Sequence, residues 1–168
     1  MHYVRLLGML ASLLGGTCTA YAAGPLPPPK GSVLLTVSGK IHQTNVGDEA
    51  QFDREMLEAL GQVSITTGYV LSNKKQLYEG VPLRAVLERV GSKGTSVLAS
   101  ALNSYKISIP LEDLKYEPII AMRVDGQALK LRDKGPLWIV YPRDAHRVLQ
   151  AQAYDSRWIW QLHRLHVE

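Results

Sequence analysis

The sequence predicts an α+β domain, with mixed or antiparallel sheets and two or three short helices. In several segments apolar residues alternate with polar ones at the two-residue period of a β-strand, for example at Tyr105, Ile107 and Ile109. Asp125-Gly126 stands between two apolar runs, which is a strong signal for a β-hairpin. Only two segments have the spacing and the end residues of a helix. Together these signals indicate the α+β class.

The clearest helix is predicted within residues 80–91. Leu83 begins a series of apolar residues at i, i+3, i+4 and i+7, which places them on one face of a helix. Pro82 stands at the first helical position, where its missing N–H costs nothing. A shorter helix is predicted between an N-cap at Asp53 and a glycine C-cap at Gly61.

The other predicted elements are strands, which are indicated by β-branched and aromatic residues between glycine, proline or polar turn residues. In a closing strand, Trp158, Trp160 and Leu162 are expected to share one face. The remaining predicted strands cover residues 32–39, 63–67, 105–109, 119–124, 127–131 and 137–141.

The first residues have the pattern of a secretory signal peptide. Arg5 precedes an apolar run over residues 6–14, and Ala20-Tyr21-Ala22 is a small-x-small cleavage site. We therefore expect cleavage near Ala22 and a periplasmic or secreted product. The predicted divisions are a signal peptide over residues 1–22, an extended and poorly ordered proline-rich leader over residues 23–31, and a single domain over residues 32–168.

Composition argues against two classes of partner. The formal net charge is +4 without a dense run of lysine or arginine, so nucleic acid is not expected to bind. After the signal, no apolar stretch reaches the roughly 20 residues that span a bilayer, so the domain is not expected to cross a membrane. Cys18, the only cysteine, lies in the predicted signal peptide. The exported chain would therefore have neither a disulfide nor a thiol nucleophile.

Aromatic and charged side chains between Trp138 and Trp160 are the best candidates for binding. The rings of Trp138, Tyr141, Trp158 and Trp160 form either part of the core or the wall of a cleft. In a cleft, they and the polar residues near them would suit an anionic or heteroaromatic ligand. The polar candidates are Arg143, Asp144, His146 and Arg157.

Motifs that would indicate catalysis or a metal are missing from the sequence. It contains no Gly-x-Ser-x-Gly elbow and no glycine-rich phosphate loop, so no catalytic residue is assigned. His163 and His166 resemble a ligand pair, but residues three apart in a strand point to opposite faces. No metal site is therefore expected there.

Several segments, taken in order, resemble the molybdopterin-binding domain of the sulfite oxidase superfamily. Each match is modest, but the ordered set is specific and extends over about residues 32–168. The resemblance implies an α+β domain that uses a molybdenum-pterin cofactor for oxygen-atom transfer. The matching segments are the Gly-Val-Pro-Leu helix at 80–91, Tyr105 with 109–114, the hairpin at 120–126 with Leu129, the Gly-Pro-led strand at 135–142, and 156–159.

The sequence departs from the family where the metal should be bound. By its spacing, Thr67 occupies the place of the cysteine that ligates molybdenum in the family. A threonine hydroxyl stays protonated near neutral pH and does not replace a soft, charge-donating thiolate. Arg157 stands beside Trp158, where the family has lysine before tryptophan, so a basic residue is kept.

Our leading hypothesis is an exported, non-catalytic domain without cofactor. It would bind a small anionic or heteroaromatic ligand, or a membrane-bound sensor protein, through Thr67, Arg143, Asp144, His146, Arg157 and Trp158. The alternative is a molybdopterin-dependent oxidoreductase whose metal is held by the pterin alone. A third possibility is an assembly protein that docks through its aromatic surface. Arg5 has no second arginine beside it, which argues against the twin-arginine export that carries cofactor-loaded proteins.

Overall fold

The computed structural model describes residues 24–168, which form two five-stranded sheets with short helices at their ends and edges. The predicted signal peptide and its cleavage site lie outside the described residues. The predicted α+β class is confirmed. In chain order the strands are β1 (Leu35–Gly39), β2 (Ala50–Phe52), β3 (Val63–Tyr69), β4 (Ser72–Pro82), β5 (Ser96–Ala101), β6 (Lys106–Pro110), β7 (Ile119–Val124), β8 (Gln127–Ala128), β9 (Trp138–Val140) and β10 (Leu162–Val167).

The helices are short and sit between strands. Asp53 caps the first of them by accepting a hydrogen bond from the Met56 backbone N–H, as its sequence position predicts. The α-helices are α1 (Arg54–Glu58), α2 (Leu83–Arg89) and α3 (Gln152–Asp155), and the 3-10 helices cover Leu111–Tyr116 and Arg147–Gln150.

The first sheet has the order β2-β1-β10-β5-β6 and joins the beginning of the domain to its end. β1 and β10 are parallel, with Thr36 opposite Arg164, and the other neighbours in this sheet are antiparallel. β10 therefore lies at the centre of the sheet, with both of its edges paired.

The second sheet has the order β3-β4-β7-β8, and β9 also pairs with β7. All of its pairings are antiparallel. A Cβ atom at Gly80 would collide with the backbone carbonyl of Ile120, so β4 and β7 need glycine at this point. Asp125 and Gly126 both have positive φ angles, as the predicted hairpin between β7 and β8 requires.

The core combines the inner faces of both sheets with one face of α2. Leu83, Val86 and Leu87 are buried on that helix, followed by Val90 at its C-cap, which confirms the predicted apolar face. The largest fully buried side chains include Trp138 from β9.

Several predicted element boundaries are wrong. The C-cap of α1 is Ala59 and not Gly61, and the strands predicted at 32–39 and 127–131 are Leu35–Gly39 and Gln127–Ala128. The segment from Gly80 to Pro82 belongs to β4, because it pairs with β7, and Pro82 is the N-cap of α2. Residues 158–161 lie outside the closing strand, which begins at Leu162. Trp158 is buried and Trp160 is exposed, so these two rings do not share a face.

The proline-rich leader packs against the domain, so the prediction of a poorly ordered tether is wrong. Leu26 is buried, and the carbonyl of Pro27 accepts a hydrogen bond from the side chain of Asn45. The backbone N–H groups of Lys30 and Gly31 donate to one carboxylate oxygen of Asp53, at 2.7 and 2.8 Å. The same carboxylate thus holds the leader and caps α1.

Within residues 24–168, none of the helices is both long and apolar enough to cross a membrane.

Candidate functional site

Thr67 lies on β3 and connects the second sheet to the loop after β9. Its side chain is buried, with 1% of the residue exposed, and its hydroxyl oxygen accepts a hydrogen bond from the Asp144 backbone N–H at 3.1 Å. In return, the Asp144 carboxylate accepts the N–H of Gly68 at 3.0 Å. We call this reciprocal pair of bonds the Thr67–Asp144 clasp.

The charge of Asp144 is compensated within the clasp. Lys75 Nζ lies 3.1 Å from Asp144 Oδ2. Partial burial by itself would raise the pKa of the Asp144 carboxyl, but the bonds from Lys75 and Gly68, with the positive charges of Lys75 and Arg143, bring it below its ordinary value. Asp144 is therefore ionised near neutral pH and already has partners.

Arg143 and Arg157 are each paired with a carboxylate. Arg143 Nε donates to Asp155 Oδ1 at 2.9 Å, and Arg157 Nη1 donates to Asp113 Oδ2. Asp113 is buried and also accepts a hydrogen bond from the Tyr141 hydroxyl at 2.8 Å. Burial, with Asp113 beside it, raises the pKa of Tyr141, so this phenol remains a donor across the accessible pH range.

His146 is exposed and lies near a pair of tyrosine rings, those of Tyr116 and Tyr154. Its ring lies 5.3 Å from the ring of Tyr116, which in turn contacts Tyr154 at 5.8 Å. The guanidinium carbon of Arg157 lies 4.7 Å from the centroid of the Tyr154 ring. The aromatic rings thus connect His146 indirectly to Arg157.

Trp158 belongs to an aromatic cluster that we define by Tyr69, Tyr78, Trp138 and Trp158. The rings of Tyr69 and Trp158 are stacked at 5.2 Å, and the other pairs recorded among the four meet edge-on at 5.0 to 5.9 Å. Within the described part of the chain, neither indole N–H of Trp138 and Trp158 has a hydrogen-bond partner.

Lys134 extends this cluster to the surface. Its ammonium nitrogen lies 4.9 Å from the ring centroid of Trp138, 5.2 Å from that of Tyr69 and 5.6 Å from that of Trp160. These distances are within the range of favourable cation–π contacts. We call this cluster, together with Lys134 and Trp160, the aromatic group. Trp160 is 37% exposed, so one edge of the aromatic group is open to solvent.

The predicted site residues come close to one another, but they do not surround an open cleft at Thr67. The segments 138–143 and 155–158 approach each other through the Trp138–Trp158 and Arg143–Asp155 contacts. Their side chains fill the space between them, since Thr67, Trp138 and Trp158 are each at most 5% exposed.

A groove of about 880 Å³ lies elsewhere, between the leader, α1 and α2. Leu26, Met56 and Leu60 contribute apolar side chains, and Arg89 also lines the groove. None of the predicted site residues lines it. The sequence does not reveal this groove, because the proline-rich composition of the leader predicts a tether and not a packed segment.

Asp113, Tyr69 and Lys134 also contribute to this region, although none of them is among the site residues predicted from the sequence. Asp113 stands in Leu111–Tyr116 beside other charged residues, Glu112 and Lys115, so no local signal marks it as the buried one. The positions of Tyr69 and Lys134 depend on the packing of distant segments and leave no local signal. In the described range 24–168, no group of three or more His, Cys, Asp or Glu residues is arranged to hold a metal ion.

Comparison with known proteins identifies the family to which this chain belongs. The oxidoreductase molybdopterin binding domain family matches residues 41–147, which is more than half of the chain, so the protein belongs to this family. The predicted resemblance to the sulfite oxidase type of molybdopterin-binding domain is thereby confirmed. No curated protein matches the chain.

A solved structure agrees with this assignment. The sulfane dehydrogenase SoxCD from Paracoccus pantotrophus matches with a TM-score of 0.59 and 20% sequence identity. The match covers 79% of this chain and 37% of the SoxCD chain. At this identity the match shows the shared fold.

The residues around Thr67 do not fit the metal of the family cofactor. The family resemblance implies a thiolate ligand to molybdenum at this position, and Thr67 offers instead a hydroxyl that already accepts the Asp144 N–H. The nearby cations Lys75, Arg143 and Arg157 are also matched one-to-one by carboxylates.

Proposed function

We propose that this protein is a non-catalytic member of the molybdopterin-binding domain family and that it works by binding. The Thr67–Asp144 clasp is the observation that carries this proposal. At Thr67, which the sequence spacing assigns to the position of the family's metal ligand, the side chain is buried and engaged in fixing a loop. In this arrangement a hydroxyl that holds the fold together replaces a thiolate that would hold the metal.

The charge distribution supports the same conclusion. An anionic pterin cofactor would need cations without local partners, but Arg143 and Arg157 form ion pairs in which each side chain is at most 21% exposed. Releasing either arginine for a cofactor would leave a carboxylate partly buried and unpaired, which is costly.

The surface best suited to binding is the open edge of the aromatic group. Trp160 is exposed there, and the half-buried ammonium group of Lys134 lies between its ring and that of half-buried Tyr69. This arrangement suits a flat heteroaromatic ligand that stacks on the Trp160 ring. The predicted export supports a second role for this surface, in which the domain contacts the outer segment of a membrane-bound sensor protein.

The deciding experiment is metal and pterin analysis of the protein purified from its natural compartment. We expect neither molybdenum nor pterin, whereas a cysteine-containing member of the family produced in the same cells should carry both. Molybdenum near one equivalent per chain would overturn the proposal and support the alternative, a molybdopterin-dependent oxidoreductase whose metal is held by the pterin alone.

The binding surface is tested separately with free pterin as a heteroaromatic probe. Isothermal titration calorimetry measures the binding, and Trp160→Ala should weaken it by about fivefold, since stacking on one ring contributes about 1 kcal/mol. Tyr105→Ala is the matched control, because Tyr105 is similarly exposed at 42% and lies outside the aromatic group. Equal effects of the two substitutions would contradict a site at Trp160.

A further inference from the structure

We propose that the chain forms a two-fold symmetric dimer, in which the outer edge of β3 pairs antiparallel with the same edge of a second copy. The proposal is independent of the cofactor question. It rests on the position of β3 in its sheet, the direction of its peptide groups and the length of edge that remains free.

β3 is the outermost strand of the second sheet and pairs there with β4. Its sequence, Val-Ser-Ile-Thr-Thr-Gly-Tyr, contains neither a charged residue nor a proline. Edge strands are usually protected from pairing with other chains by such residues. Val63, Ser64 and Thr66 are exposed, so this edge is accessible.

Hydrogen bonds on both sides of the β3–β4 pair show which peptide groups point outward. Leu77, opposite Thr66, donates its N–H to Asp125 Oδ1, and its carbonyl accepts the N–H of Asp125. Both of its groups therefore face away from β3. In an antiparallel pair, two opposite residues either both direct their N–H and C=O groups toward each other or both direct them away from each other. Since Leu77 directs its groups away from β3, Thr66 directs its N–H and C=O away from β4.

Gly68 confirms this direction independently, because its N–H donates to Asp144 outside the sheet. The pattern repeats every second residue along a strand, so Ser64, Thr66 and Gly68 all present outward peptide groups. The clasp covers the edge at Gly68. Ser64 and Thr66 are left as the two open outward positions within the strand.

The spacing of Ser64 and Thr66 allows this edge to pair with the same edge of a second copy. A two-fold axis through Ile65 places Ser64 of one copy opposite Thr66 of the other, and each such pair exchanges two N–H···O=C bonds. Four backbone hydrogen bonds form in total. The partly buried side chain of Ile65 meets its own copy at the axis, as a cross-strand pair of β-branched residues.

Symmetry favours a second copy over an unrelated chain as the occupant. The free edge is short and uncharged, and pairing with itself satisfies every open donor and acceptor at Ser64 and Thr66 without a further sequence requirement. It also removes an unprotected strand edge from solvent, and closed two-fold pairing is the commonest form of homo-oligomer.

The test is sedimentation velocity of the full chain from about 1 µM to about 1 mM, a range that covers weak association. We expect a concentration-dependent equilibrium between monomer and dimer. Thr66→Pro should weaken the dimer by about 10- to 100-fold, because it removes two of the four hydrogen bonds. Thr66→Val keeps the N–H and the β-branched side chain and should dimerise like the natural chain.

Amide hydrogen exchange gives a second measurement that does not depend on a variant. Protection of the Ser64 and Thr66 amides should increase with protein concentration, whereas the Gly68 amide, already bonded to Asp144, should not change. A natural chain that remains monomeric throughout the range would overturn the proposal. So would a dimer that Thr66→Pro leaves intact, or one in which these two amides stay unprotected.

Discussion

At Thr67 a single side-chain oxygen joins the second sheet to the loop that follows β9. The clasp depends on a residue that accepts a hydrogen bond in a buried position, and threonine meets that need on a β-strand. Its β-branched side chain suits the strand and its oxygen takes the Asp144 N–H. A cysteine would supply only a weak acceptor at the same place.

We expect Thr67→Val to lower the free energy of unfolding by about 1 kcal/mol, because the Asp144 N–H loses its acceptor while the side-chain volume is kept. Urea denaturation at micromolar concentration measures the change. Thr66→Val is the matched control, since Thr66 is exposed, and it should change the free energy by less than about 0.5 kcal/mol. Equal values for the two variants would show that the clasp contributes nothing to stability.

At the scale of elements, features that depend on neighbouring residues can be predicted from the sequence, and features that depend on distant segments cannot. The Asp53 N-cap and the Asp125-Gly126 hairpin depend on neighbouring residues, and both were predicted correctly. The start of α2 was placed too early because the pairing of Gly80–Pro82 with β7 depends on a segment some forty residues away. The leader was misjudged for the same reason, since it is held by Asp53, more than twenty residues further along.

Asp53 couples the leader to α1, and its ionisation should make this contact depend on pH. Backbone N–H groups of Met56, Gly31 and Lys30 donate to the carboxylate and hold the pKa of Asp53 below its ordinary value. A lowered folded-state pKa contributes stability that is complete above the unfolded-state pKa, about 3.9, and is lost as the pH falls through the folded-state value.

We therefore expect Asp53→Asn to destabilise the protein by about 1 kcal/mol at neutral pH, and the deficit to shrink below about pH 4. Asparagine does not titrate, so comparing urea unfolding of the two proteins at several pH values isolates Asp53 from the other carboxyl groups. A deficit that stays the same from neutral to acidic pH would contradict a role for the Asp53 charge.

At the scale of the whole molecule, Asp113 links the two sheets. It follows β6 of the first sheet, and it binds Tyr141, which follows β9 of the second, and Arg157, which precedes β10. Arg157 is predicted to belong to a binding site because a basic residue beside tryptophan matches the family pattern. Its buried partner lies 44 residues away and could not be predicted from local spacing.

Asp113→Ala should lower the free energy of unfolding by about 3 kcal/mol, because it leaves the largely buried guanidinium of Arg157 unpaired. Asp113→Asn keeps an acceptor for Tyr141 and should cost less. Glu112→Ala, at the exposed neighbouring position, is the control for a change in charge. If Asp113→Ala cost no more than Glu112→Ala, the network would not join the sheets energetically.

The packing of the whole aromatic group can be tested through its three tryptophans. Trp138 and Trp158 are 2% and 5% exposed, whereas Trp160 is 37% exposed. A polar quencher such as iodide should therefore reach only the emission of Trp160, since the other two rings are enclosed by close-packed side chains. The Trp160→Phe variant should lose nearly all of the quenchable emission, and the Trp158→Phe variant should keep it. Strong quenching that persists in Trp160→Phe would mean that the rings between β9 and the 155–158 segment line an open cleft, and the anionic or heteroaromatic ligand would then have a route to Thr67.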